Sequence, residues 1–271
     1  MTLIAITAFQ LTTAAPETLE RFYVEAIGFT AAGRSAIPAR DMALLGLSGG
    51  GVRTTLRLGP QTLELDSFEQ PGRCYPPAAT AADLSFQHLA IVTSDAAAAW
   101  ARARHLATPI SADGPATLPA SSGGVTAVKF RDPEGHPLEF LQLPPSADAP
   151  WRGEGNLGID HSAISVADAD VSRRFYERMG LAVRGAGVNR GPEQDRLDGL
   201  AGVQVEVVPM IPLGGTPHLE LLAYRFPRGA SDPQPPRPSD VAATRIVWAA
   251  DCDALIHDAD RHLHLLRRTP D

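Results

Sequence analysis

Three apolar stretches each carry a glutamate between large hydrophobic neighbours: Leu63-Glu64-Leu65, Leu138-Glu139-Phe140 and Leu219-Glu220-Leu221. Along a strand the side chains alternate faces, so the apolar pair points one way and the carboxylate the other. A carboxylate so placed is costly unless it is ion-paired, hydrogen-bonded or bound to a metal. Upstream of two of the three, a histidine opens another apolar run, His88 before Leu89-Ala90-Ile91-Val92 and His161 before Ser162-Ala163-Ile164. One histidine on a strand is ordinarily a core or surface residue. Two at matched places, each with a matched glutamate downstream, form a set that can do proton-transfer or metal chemistry. No Ser-His-Asp or Cys-His arrangement can be inferred from spacing. Gly49-Gly50-Gly51 and Gly123-Gly124 lack the strand-loop-helix setting of a phosphate-binding loop.

The elements that must position these residues repeat along the chain. The stretch Arg131-Asp132-Pro133-Glu134-Gly135-His136-Pro137-Leu138-Glu139-Phe140 reads as a tight turn feeding a strand. Phe22-Tyr23 followed by Gly28, and Phe175-Tyr176 followed by Gly180, mark the ends of two amphipathic helices, the second capped by Asp168 or Asp170. A short strand precedes each, Ile4–Leu11 and Ile159–Val166. Two more strand-helix starts are read at His88–Asp95 with a helix over Ala96–His105, and at Thr244–Asp251 with a helix over Ala254–Leu266. The unit is therefore strand, helix, then further strands ending in Leu-Glu-apolar. Its copies cover about 1–68, 84–144, 157–226 and an incomplete 240–271 that lacks a closing strand. Grouped in sequence order they make two halves, 1–144 and 157–271. Proline-rich connections separate them, the stiffest carrying Pro227, Pro233, Pro235, Pro236 and Pro238.

Bulk properties limit the function classes. The chain has 271 residues, 44% of them hydrophobic, enough for a proper core. A formal net charge of −7, with no basic cluster, argues against a nucleic-acid partner. Cys74 and Cys252 are too few for a disulfide framework. The apolar N-terminus reads as a strand, and no run reaches the roughly 18 apolar residues of a membrane span. The expectation is a cytoplasmic α+β protein with a small-molecule substrate and no membrane partner; a homodimer is left open.

These residues resemble the vicinal-oxygen-chelate superfamily, which includes glyoxalase I, extradiol dioxygenases and bleomycin-resistance proteins. The resemblance rests on the βαβββ unit, the opening histidine and the closing Asp-Pro-x-Gly-His-x-Leu-Glu-Phe, and is strongest over His88–Leu143 and His161–Tyr224. It implies about three and a half βαβββ modules pairing into open, cup-shaped half-barrel sheets. It also implies a divalent metal, one of Zn, Ni, Co, Mn or Fe, held by His88, Glu139, His161 and Glu220, with Glu139 or Glu220 able to act as base. Module one offers Ala8 at its opening position and module four Thr244, so only modules two and three carry the full set. Pairing one with two and three with four leaves both sites defective; pairing two with three gives one complete site and is favoured.

Further candidates are Glu64, a relic or an ion-paired residue, and His218, on the same face as Glu220. Arg190 or Arg196 would hold an anionic substrate from a polar loop over the cup, and Tyr75 stands with Arg73 in a proline-rich connection. His136 reads as a turn residue; His105, His257, His262 and His264 read as solvated helix positions. The activity implied is a metal-dependent, glyoxalase-like lyase or isomerase step on a small substrate with vicinal oxygens. The alternatives are an extradiol-type dioxygenase and a non-catalytic small-molecule-binding protein of the resistance type.

Overall fold

In a computed structural model the described residues are 1–146, 151–231, 234 and 236–269; Pro233 and Pro235 lie outside them. Module one runs β1 (Leu3–Thr12), α1 (Pro16–Phe22), β2 (Thr30–Ala36), α2 (Ala39–Leu44), β3 (Gly51–Leu58) and β4 (Gln61–Phe68). Module two runs β5 (Gln87–Thr93), α3 (Ala96–Ala103), β6 (Thr108–Pro109), β7 (Ala116–Thr117), β8 (Thr126–Arg131) and β9 (Pro137–Gln142). Module three runs β10 (Asn156–Ser165), α4 (Ala169–Arg178), β11 (Ala182–Val183), β12 (Gly187–Arg190), α5 (Pro192–Asp198), β13 (Gln204–Ile211) and β14 (His218–Phe226). Module four is β15 (Arg245–Ala250), β16 (Ala254–His257) and β17 (Leu263–Arg268).

The strands form two open, curved sheets. One has the order β16-β17-β15-β1-β4-β3-β2; the other has β11-β13-β14-β10-β5-β9-β8-β6 along its main path. Module one is thus paired with module four and module two with module three, and each sheet draws strands from both sequence halves. In every module the opening strand runs parallel to the closing one: β1 with β4, β5 with β9, β10 with β14 and β15 with β17. At the centre of each sheet the two opening strands lie antiparallel, β5 against β10 and β1 against β15.

Helices α1, α3 and α4 pack between the convex faces. Phe22, Tyr23 and Tyr176 join Phe9, Leu89, Phe140, Ile164 and Leu221 in one buried cluster that spans both sheets. Asp95 and Asp168 cap α3 and α4, each side chain accepting from the backbone N–H three residues on. Gly180, at φ 94°, ends the helical stretch after α4 in the left-handed conformation that glycine adopts without a steric cost. The leucines flanking each glutamate are buried on the convex side, as alternation requires, which turns Glu64, Glu139 and Glu220 to the concave faces.

Module four differs from its expectation. The helix read over Ala254–Leu266 is instead a hairpin of β16 and β17, and β17 is the closing strand that the module was expected to lack. Its turn repeats that of module two. Asp132 Oδ1 accepts from the N–H groups of Glu134 and His136 at 2.9 and 3.0 Å; Asp258 Oδ1 accepts from those of Asp260 and His262 at 3.0 and 2.8 Å. Gly135 at φ 101° corresponds to Arg261 at φ 73°. The non-glycine residue at the left-handed position hid the turn from a reading based on glycine and proline. His262 and His264, expected to be solvated on a helix, are buried. His264 Nδ1 accepts from Trp248 Nε1 at 3.0 Å, and its Nε2 donates to Tyr176 Oη at 2.9 Å, which in turn donates to Asp258 Oδ2 at 2.8 Å. His136 is a turn residue as expected, and buried: its Nε2 reaches the carbonyls of Thr12 and Val241, tying the module-two turn to the other sheet.

Candidate functional site

The concave face of the module-two and module-three sheet opens on a cavity of about 560 Å³. Its floor holds His88, Lys129, Glu139, Asp160, His161 and Glu220; Leu118, Leu141, Val205, Val207 and Leu222 make an apolar wall. Register explains the convergence. His88 pairs with Ala163, and His161 with Ala90, across the central antiparallel pair, while Glu139 lies beside Ala90 and Glu220 beside Ala163. The small alanines leave room for the imidazoles. A bulge in β10 between Ile159 and His161 turns Asp160 to the same face as His161.

His88, Glu139 and His161 each offer a ligand atom within 4.8 Å of the others. His88 Nε2 lies 2.8 Å from Glu139 Oε2, but neither ring nitrogen of His88 has a hydrogen-bond partner. The contact is close but lacks the direction of a hydrogen bond. His161 Nδ1 is 3.0 Å from Asp160 Oδ2, and its Nε2 is 3.5 Å from Glu220 Oε2. Trp151 Nε1 donates to Asp160 Oδ1 at 3.1 Å, fixing that carboxylate. His218 stands next to His161, ring centroids 5.2 Å apart, with Nε2 3.6 Å from Glu220 Oε1.

The electrostatics follow from burial opposed by unlike charge. Burial pushes the Glu139 carboxyl up, but His88, Lys129 and His161 outweigh it and bring it down to about 2. Burial likewise opposes Asp160, which His161 and His218 pull down to about 2. Against its own burial, His161 is raised to about 9 by Glu220, Asp160 and Glu139. His88 is lowered, chiefly by burial. Four carboxylates (Glu139, Glu220, Asp160 and Asp198) thus face two groups that are cationic at neutral pH, Lys129 and His161, and the site carries excess negative charge.

The remaining candidates lie elsewhere. Glu64 belongs to the other sheet, where it accepts from Gln10 Nε2 at 2.6 Å and pairs with Arg53 and Arg267. Tyr75 is buried against Gly135 beneath the Arg131 guanidinium, outside the cup. Arg190 and Arg196 are exposed and do not line the cavity. The polar stretch after Asn189, expected as a loop, forms α5, which covers the cup with Gln194 and Leu197 and sets Asp198 against Lys129. By register, the opening position of module four is Arg245, facing Gln10 as His161 faces Ala90, not Thr244. Lys129, Asp160 and Asp198 were missed by sequence reasoning. The usable signal for Lys129 was a charge inside the apolar run Ala127-Val128-Lys129-Phe130, the same anomaly that marks the glutamates.

Open sheets of this topology, built from paired βαβββ modules around a His/Glu floor, define the vicinal-oxygen-chelate fold class. The model of the Glyoxalase/Bleomycin resistance protein/Dioxygenase superfamily matches residues 5–140, and the chain belongs to that superfamily. Among solved structures, glyoxalase I from Zea mays is similar at 14% identity and TM-score 0.61, over 97% of this chain and 92% of that one. A Bacillus subtilis protein provisionally assigned as a dioxygenase is similar at 11% identity and TM-score 0.58, over 100% of this chain and 86% of that one. At these identities the likeness is one of fold. No curated protein sequence matches the chain significantly. No helix among the described residues is long and apolar enough to cross a membrane.

Proposed function

We propose that the cup of modules two and three holds one divalent ion, of the Zn, Ni, Co, Mn or Fe group, between His88, Glu139, His161 and Glu220. The protein would then be a metal-dependent lyase or isomerase acting on a small substrate with two neighbouring oxygens. The observation that carries this reading is His88, a buried imidazole with no hydrogen bond to either nitrogen, its Nε2 2.8 Å from Glu139 Oε2 and a second imidazole alongside. Buried polar groups ordinarily find partners, and this donor set suits a borderline dication that the surrounding carboxylates would also favour.

When bound, such an ion polarises a substrate oxygen and stabilises negative charge developing there. The protein's own groups do the rest. The apolar wall and α5 limit water. Both glutamates are held ionised, so either can accept a proton. Glu220 is the more loosely held, its nearest histidine nitrogens at 3.5 and 3.6 Å against 2.8 Å for Glu139, which suits a carboxylate that must move to take a proton.

Metal analysis of the purified protein and of His88→Ala tests the reading. The wild type is expected to hold one equivalent of metal. The variant is expected to fold normally by circular dichroism and to lose more than the roughly 10–100-fold in affinity that an outer-shell partner costs. A wild type that stays metal-free after incubation with each candidate ion would refute it. A second reading, an extradiol-type dioxygenase, draws on the compactness of the His88–His161–Glu139 trio, a two-histidine, one-carboxylate set. Ring cleavage of catechols by the Fe(II)-loaded protein would favour it. Tight ligand binding without turnover, indifferent to chelators, would favour a binding protein.

A further inference from the structure

The donor set has an approximate twofold arrangement, but the strands beyond the two glutamates break it. Lys129 of β8 lies opposite Glu139, whereas the residue opposite Glu220 is Pro209 of β13. The cup therefore has a cation on the module-two side and none at the matching place on the other. Lys129 is almost fully buried, its side chain 4% exposed, yet it lines the cavity. Its ammonium donates to Asp198 Oδ1 at 2.6 Å, and Asp198 Oδ2 accepts from Gln194 Nε2 at 2.8 Å.

Asp198 and Gln194 both come from α5 of module three, so this cation is gripped from across the cup. An ammonium has three N–H groups, and the bond to Asp198 uses one of them. Burial works against the charge, but Asp198, Glu139 and Glu220 more than offset it and keep the lysine protonated. Buried ion pairs contribute little net stability compared with an apolar pair of the same shape, so stability alone does not account for this one. What it does supply is a fixed hydrogen-bond donor on one side of an otherwise balanced floor.

We propose that Lys129, positioned by Asp198, anchors the more negative of two neighbouring ligand oxygens on the module-two side of the cup, so that the site selects bidentate oxygen ligands that bind as anions, such as 2-oxo or 2-hydroxy carboxylates. The assignment rests on the metal reading above and adds to it a direction of binding and a substrate charge.

Acetohydroxamate, an anionic ligand with two adjacent oxygens, is the probe, and neutral imidazole is the control. Both are titrated calorimetrically into zinc-loaded wild type, Lys129→Met and the double variant Lys129→Met/Asp198→Asn. The single variant leaves Asp198 buried without its partner, so the double variant, in which both charges leave together, carries the decision; its melting temperature is expected to stay near wild type. Hydroxamate affinity is expected to fall at least about tenfold in both variants, the loss of one hydrogen bond to a charged group. Imidazole affinity should not change. Zinc affinity should hold or rise in Lys129→Met, because a like charge has been removed. Zinc-loaded double variant that binds acetohydroxamate within twofold of wild type would overturn the anchor and leave the metal site standing. Wild type that takes up no zinc or other candidate ion would overturn the metal reading and the anchor with it.

Discussion

The two sheets present the same strand frame with opposite contents. In the module-two and module-three cup, the floor is two imidazoles and two glutamates under an open cavity. In the module-one and module-four cup, Ala8 stands where His88 does, Arg245 where His161 does, and Leu265 where Glu220 does. Glu64 keeps the position of Glu139. Arg245 is fully buried and donates to Gln10 Oε1, Thr12 Oγ1, Asp66 Oδ2 and the carbonyls of Pro238 and Ala243. Arg53 bonds to Asp66 and Asp41, and Arg267 to Asp41 and Glu64. Three guanidinium groups thus meet three carboxylates, and the cup is filled and balanced by its own side chains. The other cup has four carboxylates against one ammonium and one imidazolium, Lys129 and His161, and is left with excess negative charge. The same fold gives a structural plug where charge closes internally and an open, charged cavity where it does not.

The plug is the more sensitive of the two cups. Arg245→Leu removes the central cation and one of the two guanidinium partners of Asp66, and leaves Gln10 Oε1 without its donor; it is expected to cost about 3 kcal/mol in chemical denaturation, the lower end of the range for breaking a buried ion pair. His88→Ala, in the open cup, should leave stability nearly untouched. Equal losses in the two variants would mean that the cups do not differ in kind.

The module-one and module-four sheet also has an acid weak point. His264 is buried as a neutral imidazole between Trp248 and Tyr176, and burial, reinforced by His262 and His257, lowers its pKa to about 4 despite Asp258. The unfolded chain takes up this proton near pH 6.5, so the unfolded state binds more protons between those values. The histidine's contribution is therefore full above about pH 6.5 and is lost as the pH falls toward 4, by up to about 3 kcal/mol. Melting temperatures of wild type and His264→Gln across that window should converge as the pH drops. A constant difference would show that His264 does not titrate on unfolding.

The smallest effect concerns orientation. Asp160, clamped by Trp151, accepts from His161 Nδ1 and so leaves Nε2 free to face the cup. Asp160→Asn is expected to weaken metal binding by about 10–100-fold in chelator competition, with the fold intact. Unchanged affinity would reduce Asp160 to a surface acid at a bulge.

Much of this was legible in the chain before folding. Strand alternation placed Glu64, Glu139 and Glu220 away from their leucines, and the repeated Phe-Tyr and Gly signals located α1 and α4, because these depend on neighbours within a few residues. The turn of module four was not legible, since Arg261 occupies a backbone conformation that usually announces itself as glycine. Asp160 and Asp198 were not legible, and Lys129 showed only as a charge inside an apolar run: a bulge, a cross-strand register and a helix from another module bring the three together, and none of these leaves a local mark.

By itself, then, the amino-acid order determined the module, its periodicity and the residue types able to bind a cation. Which modules share a sheet, and hence which carboxylates find arginines and which are left facing a cavity, was decided only by tertiary pairing. The physical reason is that charge compensation depends on distance in space, and β1 meets β15 across more than two hundred residues of chain.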